Sequence, residues 1–195
     1  MIQFAEERSF PKSLSAEVRA VVPTLARNQW HPPHGAYQVC VGDEIVEIPY
    51  RVYYAQGDIF TASDANGPKG IIALCLGTRH DDGYLREACV RRLLPVQKPW
   101  VIPFAIQLLG EYVLPIAQRI EANLAEANIN LYVDFLRRNE RYFQTTERRA
   151  ISYWNVYYRG ACPTWREYPA SRALLAIRRA YKLANRSLAP TNADS

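Results

Sequence analysis

T-R-H-D-D-G-Y-L-R-E-A-C-V-R-R-L-L-P-V-Q-K-P-W-V-I-P-F-A-I-Q-L-L-G-E-Y-V-L, residues Thr78–Leu114, is the stretch on which the fold turns. It reads as two helices joined by a proline-bounded turn. Asp82 stands where a helix N-cap is wanted, its carboxylate able to accept from the free amides of the first turn. Leu85, Cys89 and Leu93 recur every fourth residue, and Val90 and Leu94 add a second row, so the first helix is covered on more than one side. Pro95 and Pro99 close the turn, and Pro103 suits the first turn of the next helix. That second helix carries Ile102, Ile106, Leu109, Val113, Ile116, Ile120 and Leu124 on one stripe, which predicts a single long central strut.

Outward from this pair, Gly70–Gly77 contributes the apolar run I-I-A-L-C-L, read as core helix. Asn128 opens another long helix, Leu131–Tyr158, and a last one runs from about Ser171 to Arg186. Upstream, Ser13–Arg27 predicts a helix capped by Ser13 or Ser15 and interrupted by Pro23. Tyr37, Val39 and Val41 alternate up to Gly42-Asp43, and Val46, Ile48, Tyr50, Val52 and Tyr54 alternate after it. That pattern is a β-hairpin signal. Pro49 lacks an amide donor and places its strand at an edge. Gln56–Lys69, dense in Gly, Asp, Ser, Asn and Pro, reads as a polar loop and hinge. The expected organisation is a front piece over residues 1–66, a helical region over 67–190 and a disordered tail over 191–195.

Asp82-x-x-x-Arg86-x-Ala88-x-x-x-x-Leu93, followed by a proline-bounded second helix, resembles a HEAT repeat. Ile48-Pro49-Tyr50-Arg51, Thr78–Gly83 and Gln107–Tyr112 add a likeness to bacterial HEAT-like proteins. The resemblance covers one repeat of about 40 residues, with no second copy at a fixed period. It implies a mainly α fold, a HEAT-like stack of antiparallel helices beside the N-terminal hairpin, with Asp82 and Arg86 as its structural motif. It implies no activity. HEAT-like folds include DNA glycosylases, but none of their catalytic positions maps onto this chain.

The chain has 195 residues, 49% hydrophobic and 22% charged, which suits one globular unit with a sizeable core. No apolar run reaches the ~20 residues that span a bilayer, and M-I-Q-F-A-E-E-R lacks a signal-peptide layout, so a cytoplasmic protein is expected. Cys40, Cys75, Cys89 and Cys162 show no paired spacing, which argues against zinc and disulfides. No phosphate-loop or dinucleotide motif is present, and no cofactor is expected.

Charge is the most informative pattern. Leu136–Ser187 holds twelve Lys and Arg against three Asp and Glu, whereas residues 1–134 hold twelve against fifteen. At ~100° per residue, Arg137, Arg141 and Arg148 fall within roughly 40° on one helix face, flanked by Arg138 and Arg149. Phe135, Tyr142, Phe143, Ala150, Tyr153 and Tyr157 lie opposite. The last helix places Arg172, Arg178, Arg179, Lys182 and Arg186 beside its inward stripe of Leu174, Ile177, Tyr181 and Leu188. Two such faces side by side make a positive surface for an acidic protein or for nucleic acid; they are also what ordinary solvated helices look like. Tyr153, Trp154, Tyr157, Tyr158 and Trp165, with Tyr168, could stack on bases or simply form core. His80-Asp81-Asp82 puts an imidazole beside two carboxylates, the acid–base arrangement of a hydrolase, although helix caps explain the aspartates equally well. His31 and His34 have H-x-x-H spacing without a third ligand. The leading expectation is a non-catalytic helical module that docks an acidic partner on the basic C-terminal face.

Overall fold

Around Gly42-Asp43 the alternating residues form the expected hairpin, β1 (Ala36–Val41) pairing antiparallel with β2 (Glu44–Pro49). Tyr37 faces Ile48 and Val39 faces Val46 across the ladder, and all four side chains are buried. Gly42 turns the chain with φ +60°, a conformation that suits glycine. The ladder runs to Ala36 opposite Pro49, which has no amide to donate, and the next residue continues it, the Tyr50 amide donating to the Gly35 carbonyl at 3.1 Å. Farther on, Val52 makes an isolated parallel bridge to His80, its amide donating to the Arg79 carbonyl at 2.9 Å. This is a computed structural model, and it describes residues 5–26 and 35–186. His31, His34, Leu188 and the 191–195 tail lie outside those residues.

The front of the chain departs from expectation in two places. Ser13–Arg27 is not one helix but a short 3-10 turn at Lys12–Leu14, then α1 (Ser15–Val21), then a second 3-10 turn at Val22–Thr24 that contains Pro23. Neither serine caps it, for Leu14 holds the N-cap position. Gln56–Lys69 is not a continuous loop, because Gln56–Ser63 forms α2. Its buried stripe consists of Ile59 and Ser63 alone, too thin a periodicity to stand out among polar residues.

Next comes α3 (Pro68–Gly77), the predicted core helix, which packs between α1, α2 and α4 (Gly83–Leu93). Asp82 caps α4 as expected, its Oδ1 accepting from the Tyr84 amide at 2.7 Å and the Leu85 amide at 3.4 Å.

The long strut is the larger correction. Ile102–Leu124 splits into α5 (Ile102–Leu109) and α6 (Leu114–Asn123). Pro115 explains the break: it lacks an amide, and its ring would collide with the carbonyl of residue 111 in a continuous helix. A corner at Gly110–Val113 results, and it carries Glu111 into the interior, 4% exposed. Leu131–Tyr158 divides likewise, into α7 (Ile129–Arg138) and α8 (Glu140–Tyr153), with a wider-wound turn extending α8 through Tyr158. Asn139 makes the division. Its backbone sits at φ −131°, ψ 39°, and its side-chain amide brackets Cys40 of β1, Oδ1 accepting from the Cys40 amide at 2.7 Å and Nδ2 donating to its carbonyl at 2.9 Å. Finally α9 (Pro169–Arg186) packs against α6, α7 and α8.

The protein is therefore mainly helical with a small two-stranded sheet near its N-terminus. One hydrophobic cluster runs from Phe10 through the hairpin and helices to Ile177. The four cysteines are free thiols. Burial pushes Cys89 up to about 12 and Cys75 well above the ordinary thiol range, which makes both inert packing groups. Among the described residues no helix is long and apolar enough to cross a membrane.

Candidate anion-binding site

At the corner between α5 and α6, Glu111 meets three arginines. Arg51 reaches it from the segment after β2, its Nη1 at 3.0 Å from Oε1 and its Nη2 at 3.1 Å from Oε2. Arg79, just past the end of α3, places Nη2 2.5 Å from Oε1. Arg86, on α4, brings Nε to 3.3 Å from Oε2. Both Arg79 and Arg86 are wholly buried. Arg86 also ties down the α4 start, donating from Nη1 to the carbonyls of His80 at 2.8 Å and Asp81 at 2.7 Å. Arg86 of the Asp82–Arg86 motif is thus buried, and the carboxylate that answers it is Glu111. Asp82 instead caps its helix and accepts from Gln56 Nε2 at 2.6 Å.

Three permanent charges surround one carboxylate, and the electrostatics follow. Burial pushes the Glu111 carboxyl up, but Arg79, Arg51 and Arg86 together outweigh it and hold the group below the ordinary carboxylate range. The folded state therefore takes up this proton less readily than the unfolded chain does. Stability contributed by Glu111 is complete above the ordinary glutamate value of about 4.3 and drains away as pH falls toward the depressed folded value. Denaturant unfolding from pH 7 to pH 3 should show this acid loss in the native protein, and Glu111→Gln should flatten the curve. An unchanged acid limb in that variant would assign the loss to other carboxylates. Burial lowers the pKa of Arg86, and it opposes the charge of Arg79 too. There the Glu111 carboxylate prevails, and the value rises.

A cleft of about 590 Å³ opens over this cluster. Its wall includes Tyr50, Arg51, Gln107, Glu111, Arg149 and Ser152. Tyr142 donates to Gln107 Oε1 behind the wall and stacks on Tyr37, ring centroids 5.1 Å apart. Burial drives both phenols well above their ordinary range, so they stay protonated. Arg149 lies over the Tyr50 ring, 4.9 Å from its centroid, and donates to the Tyr50 hydroxyl at 3.0 Å. Arg149 thus faces the hairpin side of α8, away from the outer face on which it was expected.

The outer basic face is thinner than its composition implies. The break at Asn139 leaves Arg137 and Arg138 on α7, off the helix that carries Arg141 and Arg148. Arg137 pairs with Asp134 at 2.6 Å, and Arg138 reaches the hairpin turn, donating to the Gly42 carbonyl at 3.0 Å. Arg172 is held by Glu121. Arg178 bridges α9 to α8 through Glu140 and Glu147, each at 2.7 Å. The hydrogen bonds that Arg178 donates to Glu147, then the one to Glu140, carry its pKa far upward. Arg141, Arg148, Arg179, Lys182 and Arg186 are exposed and make no ion pair with a described residue.

These five cations share one side. Leu174 and Leu175 sit beside Gln144–Ile151 in a shallow pocket, and Arg178 one turn later reaches back to Glu140, so α8 and α9 run antiparallel. Arg141 and Arg148 each follow a seam residue (Glu140, Glu147) by ~100°, and Arg179 follows Arg178 by the same rotation. In an antiparallel pair, equal rotations of the same sense lead to the same side of the seam.

The aromatic candidates separate into core and surface. Trp154 is buried, donates to the Cys162 carbonyl at 2.8 Å, meets Trp165 edge-on and lies under Arg159. Tyr158 donates to the Tyr112 carbonyl and stacks on Tyr168, so these rings are structural. Tyr157 is exposed, and Tyr153 stacks beside it with centroids 6.1 Å apart. His80 is buried, with Nε2 2.8 Å from the Tyr54 carbonyl and Nδ1 accepting from the Asp82 amide at 3.0 Å. Backbone groups occupy both ring nitrogens, which ties the imidazole to the fold.

Sequence reasoning missed the arginine cluster. Arg51, Arg79 and Glu111 stand in three distant segments, and Glu111 lies on an apparently continuous helical stripe. The unmatched charge in Thr78-Arg79-His80, between an apolar helix and a cap, was the available signal. No family model, curated protein or solved structure matches this chain.

Proposed function

We propose that the protein is a non-catalytic, HEAT-like helical interaction module of the cytoplasm that docks an acidic partner on the outer side of α8 and α9. One observation carries this reading. Arg141, Arg148, Arg179, Lys182 and Arg186 are all exposed on one side of the α8–α9 seam without a carboxylate partner, while neighbouring Arg137, Arg172 and Arg178 are paired. Arginine predominates there, as suits forked contacts to carboxylates or phosphates. The HEAT-like likeness is supported by the capping role of Asp82 and the burial of Arg86.

Nucleic acid is the second reading, favoured by the three exposed arginines Arg141, Arg148 and Arg179, whose forked N–H groups suit phosphates as well as carboxylates. One triple variant, Arg141→Glu with Arg148→Glu and Arg179→Glu, tests both. It should fold, since exposed substitutions usually shift stability by ~0.5 kcal/mol or less each. It should lose binding to labelled polyglutamate, an acidic-protein surrogate, and to mixed-sequence DNA and RNA. Binding of the native protein to DNA or RNA that is tighter than to polyglutamate, and that weakens steeply with salt, would select nucleic acid. A folded triple variant that binds every probe normally would refute the whole reading.

A further inference from the structure

The cleft above Glu111 poses a charge problem that the protein's own residues leave unsolved. Arg51 and Arg149 line it, Arg79 and Arg86 lie directly behind Glu111, and Glu111 is the one acidic side chain in the wall. Four guanidinium groups thus answer to a single carboxylate. Glu111 is already divided among three of them: Oε1 accepts from Arg51 and Arg79, and Oε2 accepts from Arg51 and faces Arg86 Nε at 3.3 Å. Buried charge without a counter-charge is costly, and the low-dielectric surroundings that raise the cost also raise the reward for an anion.

The donors are also in surplus. Arg149 makes one hydrogen bond, to the Tyr50 hydroxyl, and so retains most of its N–H groups. Arg51 commits Nη1 and Nη2 to Glu111 and the Tyr50 carbonyl, leaving its Nε–H. Ser152 adds a hydroxyl at the rim. Deeper, Arg79 Nη1 and Arg86 Nη2 are buried and unpartnered, which marks the positive charge as uncompensated at its base. A concave site of this volume suits one small ligand group rather than a flat macromolecular surface.

We propose that this cleft binds a phosphate group, free or carried by a small monoester, with Arg149 and Arg51 as its principal donors. A phosphate presents tetrahedrally arranged oxygens and close to two negative charges, which match clustered guanidinium N–H groups better than a carboxylate does. The site is independent of the outer basic face: Arg149 points to the hairpin, and none of Arg141, Arg148 and Arg179 takes part.

Calorimetric titration at constant ionic strength with inorganic phosphate, phenyl phosphate and acetate tests it. Phosphate should bind saturably and acetate should not. Arg149→Ala should weaken phosphate by about tenfold or more, the loss of a charge-assisted contact. Ser152→Glu, which brings a carboxylate to the rim, should weaken it too. The Arg141, Arg148 and Arg179 triple variant should bind phosphate normally, so that a failure here and a failure of the outer face are read separately. Phenyl phosphate binding tighter than phosphate would identify a monoester as the natural form, and the reverse would identify free phosphate. No saturable phosphate binding stronger than about 1 mM, equal binding of acetate, or full affinity in a folded Arg149→Ala would each overturn the assignment.

Discussion

Glu111→Gln should destabilise the protein by about 3–5 kcal/mol, the range found when one partner of a buried charge network is removed. The reason lies in what remains. Arg79 and Arg86 are wholly buried, Arg51 is mostly covered, and all three stay charged at any ordinary pH. Without the carboxylate they face one another with no counter-charge. Glutamine keeps the size of the side chain, so the loss reports electrostatics rather than a cavity. Arg86→Met should cost less, because it lowers the surplus of positive charge even as it forfeits the bonds to the His80 and Asp81 carbonyls. That asymmetry is the diagnostic part. Equal losses from the two variants, measured by denaturant unfolding, would mean that the cluster acts through packing and hydrogen bonds and not through charge imbalance.

Gly70→Ala should be the most damaging methyl addition in the chain, at about 1–3 kcal/mol, as for other overpacked sites. A Cβ at Gly70 would stand 2.1 Å from the Ala65 carbonyl oxygen and 2.9 Å from that of Ser63. Both neighbours are backbone, folded over the first turn of α3 by the link from α2, so relief requires moving that link. Gly77→Ala makes a useful contrast. Its Cβ would meet Cys89 Sγ at 2.4 Å and Ile59 Cγ2 at 2.9 Å, side-chain atoms on α4 and α2. Cys89→Ala should rescue part of the Gly77→Ala loss, whereas no side-chain truncation should rescue Gly70→Ala. A fully stable Gly70→Ala protein would show that the α2–α3 link is free to move.

What could be read from the chain alone follows from how local each signal is. Asp82 as a cap, the hairpin centred on Gly42-Asp43 and the apolar α3 are contained in windows of a few residues, and all were legible. Helix breaks were not. The Ile102–Leu124 stripe keeps its period across Pro115, so hydrophobic spacing alone joined two helices that backbone chemistry separates. At Asn139 the cause is farther away still, since an asparagine leaves helical geometry here to bond a strand 99 residues earlier. The arginine cluster was invisible for the same reason: its members converge only once α3, α4 and the α5–α6 corner have met. The outer cations were legible as residues, but their partners were not. Which arginines are neutralised depends on Glu121, Glu140, Glu147, Asp134 and Asp43 arriving beside them.

The bracket that Asn139 places on Cys40 also bears on the order in which the molecule assembles during synthesis. The hairpin leaves the ribosome before the segments that secure it: its outer edge and its Tyr50 are held by Asn139 and Arg149, each 99 residues downstream. Isolated two-stranded hairpins are marginal in water, and closing so long a loop is entropically slow. At ~5–20 residues per second, those downstream contacts lag the hairpin by roughly 5–20 seconds of elongation. Throughout that interval the backbone groups of β1 that Asn139 later covers are open to any other extended chain. The nascent protein is therefore exposed to strand-to-strand association until α8 emerges, and chains truncated before Asn139 should aggregate where the full chain does not.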